Sequence, residues 1–233
     1  MARSESRLHA LAADLSQQHG VFATVIAADL SQTGAVKKLQ HGTETRGLQV
    51  DLLVNNAGFG SFSGFARQDS QEISEMIAVN VTALTDLTRR FLPAMLERGR
   101  GRVLNVSSTA AFIPGPLMAV YYATKAYVLC FSGAVNEELR GTGLSVTALC
   151  PSPVDTGFQD AVTLNESRLM TGVIRLAVLD VETVARIGVE AMLRGQGGAV
   201  AGLANKVQVS SFRVLPRAAA ARIIAGVQAR REE

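Results

Sequence analysis

The stretch NVSSTAAFIPGPLMAVYYATK, residues 105–125, places Ser108 thirteen residues before Tyr121, and Lys125 four residues after that tyrosine. Four residues make about one helical turn, so Tyr121 and Lys125 share a helix face. An ammonium next to a phenol favours the phenolate, and we expect it to lower the pKa of Tyr121 from about 10. Ser108 could hold a substrate carbonyl oxygen while the tyrosine gives or takes a proton. The three residues predict a general acid–base site for interconverting an alcohol and a ketone.

This chemistry needs a hydride carrier, because no side chain donates hydride. A Tyr-x-x-x-Lys pattern alone is common on helix surfaces, so an exposed tyrosine–lysine pair is the alternative interpretation. Tyr122 does not fit the pattern, since Ala126 stands four residues after it. The added spacing to Ser108 favours the catalytic interpretation.

Composition predicts one domain, residues 1–233, because 48% hydrophobic and 18% charged residues support a large core. The net charge of +3 comes without a basic cluster interleaved with aromatic residues, so we expect no nucleic-acid partner. Cys130 and Cys150 lie in apolar runs and are interpreted as core residues in a reducing compartment. The three histidines lack ligand spacing, so no metal site is expected. Without a signal peptide or an apolar run of about 20 residues, we expect a cytoplasmic protein.

Apolar runs alternate with helical patterns along the chain. The predicted strands are residues 21–28, 50–54, 102–106, 144–149 and 199–201. The predicted helices are one carrying Leu8, Leu11 and Leu15, then residues 33–46, residues 70–97 with a bend or break near Pro93, residues 119–139, residues 181–193 and a basic, alanine-rich helix after Pro216. This order favours an α/β fold with a doubly wound parallel sheet and helices on both faces.

Polar or glycine- and proline-rich clusters follow the predicted strands. They are Asp29, residues 55–58, Ser107 with Ser108, and residues 151–156. In a parallel sheet of this kind, ligands bind beyond the carboxyl ends of the strands. We therefore expect these clusters to meet at one crevice.

The serine, tyrosine and lysine, together with Asn-Asn-Ala-Gly at residues 55–58, resemble the short-chain dehydrogenase/reductase family. The resemblance implies a Rossmann-like fold and an oxidoreductase that acts on a carbonyl/alcohol pair. It implies that Tyr121 is the acid/base, that Lys125 also holds the nicotinamide ribose, and that Ser108 positions the carbonyl oxygen. Asn80 matches the family asparagine that supports a water chain to the lysine. The alternative is a buried helix asparagine that satisfies its own backbone.

The resemblance also implies nucleotide-binding positions. Asn55, Ala57 and Gly58 match residues on the adenosine side of the family's cofactor site, and an ordinary strand-to-loop turn is the alternative. Asp29 matches the aspartate that caps the adenine amine, although a turn-forming aspartate after a strand is equally natural.

Further positions match the family's cofactor-binding residues at the start of the chain and in residues 151–156. Pro151, Val154 and Thr156 match the segment P-G-x-V-x-T that meets the nicotinamide amide. Ser152 replaces its glycine, which carries a cost if that glycine needs a positive φ or a close backbone approach. Arg3 matches an arginine that pairs with the 2′-phosphate of NADP, so NADP is favoured and NAD is the alternative. A charged, frayed terminus is the other interpretation of Arg3.

One family feature is missing. No glycine-rich phosphate loop of the T-G-x-x-x-G-x-G type occurs near the start of the chain. We therefore expect an N-terminally truncated Rossmann-like fold that lacks the first strand, the glycine-rich loop and the second strand. A misplaced start codon, a truncated chain and a short protein that has lost cofactor binding are the competing explanations. The first two are favoured because the catalytic set is intact.

Two functions fit these observations. The first is a reductase or dehydrogenase that uses NADP(H) and a small apolar carbonyl or alcohol, with specificity set by residues 59–65 and 157–180. The second is a cofactor-less remnant that acts only as a partner-binding subunit. The resemblance implies a homodimer or homotetramer built through residues 70–97 and the helix bearing Tyr121. The tail, residues 213–233, is expected to be solvated or subunit-facing rather than bound to a membrane surface.

Overall fold

A computed structural model of the chain describes residues 5–154 and 179–228. The described part contains four parallel strands in the order β1 (Leu52–Asn55), β2 (Gly101–Val106), β3 (Leu144–Cys150) and β4 (Gly198–Val200). The helices are α1 (Glu5–His19), α2 (Ala35–Glu44), α3 (Ser70–Ile77), α4 (Leu84–Arg98), α5 (Ala119–Glu138), α6 (Val181–Leu193), α7 (Leu203–Val214) and α8 (Arg217–Gln228). The predicted α/β class with a parallel sheet is confirmed.

Both faces of the sheet are covered by helices. Val103 of β2 belongs to an apolar cluster with Met95 of α4 and Val146 of β3. The next residue, Leu104, belongs to a cluster on the other face with Val184 of α6. Successive strand residues point to opposite faces. Because both faces are apolar, these strands read as continuous hydrophobic runs in the sequence.

A chain of polar side chains crosses the sheet near its carboxyl end. Asn55 and Asn105 are partners in the register of β1 and β2. The amide of Asn55 donates to the Asn105 side-chain oxygen at 2.9 Å and to Thr88 at 3.2 Å. Asn105 donates in turn to Ser132 of α5 at 2.9 Å. These buried bonds join two strands to α4 and α5 and fix the place where the strands end.

Residues 21–28 do not form the predicted strand. They have no regular secondary structure, and Phe22 is 92% exposed. Within the described ranges β1 pairs only with β2, and its Leu52 and Val54 are 51% and 49% exposed. A strand needs a neighbour for its backbone hydrogen bonds. No described strand lies beside residues 21–28, so an apolar run alone does not make them a strand.

The long helical segment is interrupted at a different place from the one predicted. α3 passes into a π-helical turn, Ala78–Ala83, before α4 begins. α4 continues through Pro93 to Arg98, so the break predicted near Pro93 is wrong. The irregular turn instead surrounds Asn80, whose side chain is bonded outside the helix.

Two further sequence interpretations change at the surface. Cys150 is buried as expected, but Cys130 is exposed, because only one face of α5 is covered. The helix predicted from Leu8, Leu11 and Leu15 is present as α1, yet none of its residues is buried. Among the described residues, no helix is both long enough and apolar enough to cross a membrane.

The turn before β3 provides a test of the packing. Gly141 and Gly143 both have φ of +82°. A Cβ at Gly143 would lie 2.5 Å from the carbonyl oxygen of Gly99, whereas at Gly141 no described atom lies within 4 Å. We expect Gly141→Ala to lower the free energy of unfolding by about 1–2 kcal/mol, the cost of left-handed backbone. Gly143→Ala should lose about 1–3 kcal/mol more through the clash. Urea unfolding followed by circular dichroism measures both, and equal losses would contradict the contact with Gly99.

Candidate active site

The structure brings Ser108, Tyr121 and Lys125 together. Ser108 follows β2, while Tyr121 and Lys125 occupy the first two turns of α5. All three line one cavity of about 500 Å³ at the carboxyl end of the sheet. The side chain of Ser108 lies near the phenol of Tyr121 and lowers the pKa of that phenol. The proximity predicted from their spacing is therefore present in the folded chain.

The hydroxyl of Ser108 is held in place by the backbone around it. It accepts a hydrogen bond from the Ala110 amide at 3.1 Å and lies 3.5 Å from the Pro151 carbonyl oxygen, to which it can donate. Ser108 caps a short 3₁₀ turn, Thr109–Phe112, through the same bond to Ala110. This turn fixes the serine oxygen beside Tyr121.

Lys125 is buried and tied to the end of β2. Its Nζ donates to the Val106 carbonyl oxygen at 2.9 Å and lies 5.7 Å from the centroid of the Tyr121 ring. Its own carbonyl accepts from the Ser107 hydroxyl at 2.8 Å. Burial lowers the pKa of Lys125 to about 8, and the neighbouring Cys150 opposes this shift.

The pKa of Tyr121 moves in the opposite direction to the one expected from the sequence. Burial raises it to about 12, and the neighbouring Ser108 side chain lowers it only in part. Burial removes water from the phenolate, and this raises the pKa more than the charge of Lys125 lowers it. The ammonium of Lys125 is bonded to Val106 and lies 5.7 Å from the centroid of the Tyr121 ring. At neutral pH the phenol is therefore protonated and able to donate.

Asn80 connects two segments of the site. Its amide group donates to the Phe59 carbonyl oxygen at 2.8 Å and to the Thr124 hydroxyl at 3.1 Å, and its side-chain oxygen accepts from the Phe59 amide at 3.1 Å. The side chain thus fastens the loop after β1 to α5, rather than satisfying its own helix backbone. Its support of a water chain to Lys125 stays a prediction.

The predicted cofactor residues of the first motif are Asn55, Ala57 and Gly58. Gly58 lines the cavity, as does its neighbour Asn56, which was not among the predicted residues. A Cβ at Gly58 would lie 3.1 Å from the Asn80 side-chain oxygen and 3.2 Å from Lys125 Nζ. Asn55 instead belongs to the polar chain across the sheet. Ala57 is half-buried and is not among the described residues that line this cavity.

The remaining cofactor predictions have mixed outcomes. Asp29 accepts hydrogen bonds from the Ser31 amide at 3.1 Å and from the Ser31 hydroxyl at 2.8 Å. These bonds agree with the alternative interpretation of Asp29 as a turn-forming residue. The contact of Asp29 with adenine stays a prediction. Arg3 and Thr156 lie outside the described residues.

The segment after β3 borders the cavity through Pro151 and Val154. Ser152, which stands where the family has glycine, lies between them and is buried. Among the described non-glycine residues, Leu117 alone has a positive φ. Ser152 therefore adopts a backbone conformation open to any residue, and the conformational cost expected there is absent.

A family model described as short chain dehydrogenase matches residues 1–167. The chain belongs to the short-chain dehydrogenase/reductase family. A very-long-chain 3-oxoacyl-CoA reductase of Anas platyrhynchos is 34% identical over 161 residues, which are 67% of this chain and 51% of that protein. The chain thus spans about half the length of the curated relatives it matches.

Solved structures of short-chain dehydrogenases superimpose well on this chain. A 7β-hydroxysteroid dehydrogenase has a TM-score of 0.85 at 25% identity, covering 96% of this chain and 85% of its own. A short-chain dehydrogenase from Sphingobium yanoikuyae in complex with NADPH has a TM-score of 0.77 at 27% identity, covering 93% and 85%. The family assignment and the fold therefore agree.

One wall of this cavity was not predicted from the sequence. The wall is formed by residues from three helices, namely Val184 of α6, Val209 and Phe212 of α7, and Ile224 and Gln228 of α8. On α8, Ala220, Ile224 and Gln228 recur every four residues and are buried, a spacing that is readable from the sequence. One face of α8 is therefore buried in the protein.

The buried ammonium predicts a pH-dependent stability. The pKa of Lys125 falls from 10.5 to about 8 on folding, so between these values the unfolded chain binds more protons. The cost of burying the charge is fully present below pH 8 and is relieved as pH rises toward 10.5. Between pH 7 and pH 10, we expect wild type to gain stability relative to Lys125→Met by on the order of 3 kcal/mol.

Urea unfolding of both proteins at several pH values measures this difference. Lys206→Met is the matched control, because Lys206 is exposed on α7, and its profile should stay parallel to that of wild type. Parallel profiles for wild type and Lys125→Met would contradict the lowered pKa.

Proposed function

We propose that this short-chain dehydrogenase transfers hydride between NADP(H) and a small apolar carbonyl or alcohol. The observation that carries the proposal is the cavity that Ser108, Tyr121 and Lys125 line together. Family membership and a solved relative in complex with NADPH support it.

Each residue has a distinct role in carbonyl reduction. The phenol of Tyr121 donates its proton to the carbonyl oxygen, and the hydroxyl of Ser108 holds that oxygen in place. The raised pKa of Tyr121, about 12, keeps the phenol protonated at neutral pH and favours this direction. In alcohol oxidation the same tyrosine accepts the proton, which needs the phenolate. Lys125 supplies the neighbouring positive charge.

The residues of the site fit a nicotinamide dinucleotide, which supplies the hydride when bound. Gly58 lines the cavity beside Lys125, and a Cβ there would lie 3.2 Å from Lys125 Nζ; the ammonium of Lys125 would hold the ribose. Val154 borders the same cavity and would meet the nicotinamide amide. Asp29 would hold the adenine. The choice of NADP over NAD depends on Arg3 and is a proposal from the sequence alone.

The cavity favours a substrate with an apolar body. Ile113 and Met118 line it on the side of Tyr121, and Val184 and Phe212 line it on the side of the C-terminal helices. A volume of about 500 Å³ lies within the range of small-molecule sites. This supports an apolar ketone or secondary alcohol.

We also propose that the protein is a homodimer or homotetramer in the cytoplasm. Tyr127 stacks on Phe131 with ring centroids 5.7 Å apart on the outer side of α5. Tyr127 and Leu96 of α4 are exposed, which leaves apolar surface for a second copy. Light scattering that gives a monomer mass would overturn the oligomer.

A partner-binding subunit without cofactor is the second candidate. It is favoured by the exposed Leu52 and Val54 of β1, which is an edge strand among the described strands. Under this candidate the Ser108, Tyr121 and Lys125 site has no catalytic task.

Substitution of the tyrosine tests the proposed chemistry. We expect Tyr121→Phe to lower kcat/KM for reduction of 4-phenylcyclohexanone by about 100-fold or more, because phenylalanine has no proton to donate. NADPH oxidation at 340 nm measures it. Tyr127→Phe is the matched control, since its hydroxyl bonds to Thr85 at 3.0 Å away from the cavity. Undiminished turnover in Tyr121→Phe would sink the assignment.

Cofactor binding separates the two candidates. Titration of the 233-residue chain with NADPH, followed by nicotinamide fluorescence, should show saturable binding that is weakened in Lys125→Met and kept in Tyr127→Phe. Such binding rules out the subunit without cofactor, whereas no binding of NADPH or NADH at millimolar concentration would overturn the oxidoreductase.

A further inference from the structure

Gln228, on the last described turn of α8, is a fully buried amide in the cavity wall. Its Nε2 donates to the hydroxyl of Tyr122 at 2.8 Å. Its Oε1 is also buried and has no hydrogen-bond partner anywhere in the described chain. One end of this side chain is therefore matched and the other is not.

An unmatched buried amide end is unusual in a folded protein and calls for an explanation. Leaving such a group without a partner costs more than one hydrogen bond returns. Exchanging the two ends of the amide would let the Tyr122 hydroxyl donate to Oε1, but the NH₂ group would then lack an acceptor. Both orientations leave one hydrogen-bonding group of Gln228 unmatched beside the cavity.

Tyr122 fixes this amide close to the reacting residues. Its ring meets that of Tyr121 edge to face, with centroids 6.1 Å apart. Burial raises the pKa of Tyr122 well above its usual value, so the hydroxyl remains neutral and hydrogen-bonding. Around Gln228, the wall from α7 and α8 is apolar at Val209, Phe212 and Ile224. The amide is thus a fixed polar point in a largely apolar wall.

We propose that Gln228, held by Tyr122, recognises a second polar group of the substrate while the carbonyl reacts at Tyr121. The substrate class is then an apolar ketone that carries a hydroxyl group away from its carbonyl. A hydroxyl fits because it can donate to Oε1 or accept from Nε2, whichever end is free. This inference rests on the proposed function and adds a specificity-determining residue to it.

Two ketones that differ in one hydroxyl provide the test. 4-Phenylcyclohexanone is apolar throughout, and 4-(4-hydroxyphenyl)cyclohexanone adds one distal hydroxyl. We expect wild type to prefer the hydroxylated ketone by about fivefold or more in kcat/KM, the return from one buried hydrogen bond. Gln228→Leu, which keeps the size of the side chain but removes its amide, should bring the ratio to within about twofold of unity. The change should appear in KM, because the contact is made equally in ground and transition states.

Gln208→Leu is the matched control. Gln208 also lines the cavity, but it is exposed, so water satisfies its amide and the preference should stay as in wild type. Tyr122→Phe removes the hydroxyl that holds the amide and should weaken the preference without abolishing it. Circular dichroism checks that each variant is folded, and Tyr122→Phe carries the test if Gln228→Leu is not.

Calorimetric titration of both ketones into the protein with NADP⁺ present gives a readout independent of turnover. Tighter binding of the hydroxylated ketone by wild type, lost in Gln228→Leu, supports the inference even if neither ketone is reduced; the proposed function alone would then fail. Equal affinities and equal kcat/KM for the two ketones in wild type would overturn the inference. A preference that survives in Gln228→Leu would also overturn it. In either case, normal reduction of the ketones would leave the proposed function standing. A bridging water on Gln228 would give such equal affinities.

Discussion

The burial of one ammonium group determines how α5 sits against the sheet. Lys125 donates to the carbonyl at the end of β2, and Ser107 from the same strand exit donates back to the Lys125 carbonyl. A buried charge without partners costs several kcal/mol, so the helix cannot rotate or slide without losing these bonds. Tyr121 lies one turn earlier on the same face and is therefore directed at Ser108. The same dry surroundings that hold the lysine also keep the phenol protonated.

Most of the fold could be predicted from the sequence, because the central strands are buried on both faces. Val103 and Leu104 belong to apolar clusters on opposite faces of the sheet. A strand that is apolar at every position indicates burial on both faces. Residues 21–28 show the limit of the argument. A segment forms a strand only where a partner strand accepts and donates its backbone hydrogen bonds. The side chains of Val21 and Phe22 do not reveal whether such a partner strand is present.

The proximity of Ser108, Tyr121 and Lys125 could also be predicted, since their spacing along a strand exit and a helix is kept on folding. The direction of the Tyr121 pKa could not, because it depends on how much water the folded chain removes from the phenol. The bonds of Asn80 to Phe59 and Thr124 could not be predicted, because they join segments far apart in sequence. Gln228 and Tyr122 are 106 positions apart, so no local pattern connects them.

The cavity is assembled from two parts of the chain that meet only in space. Ser108 follows β2, and Tyr121 and Lys125 lie on α5, whereas α7 and α8 supply a separate wall. Natural selection can therefore alter ligand choice through a short stretch of codons that encodes neither the sheet nor the reacting hydroxyls. Changes in that stretch can therefore alter which ligand the cavity accepts and leave Ser108, Tyr121 and Lys125 in place.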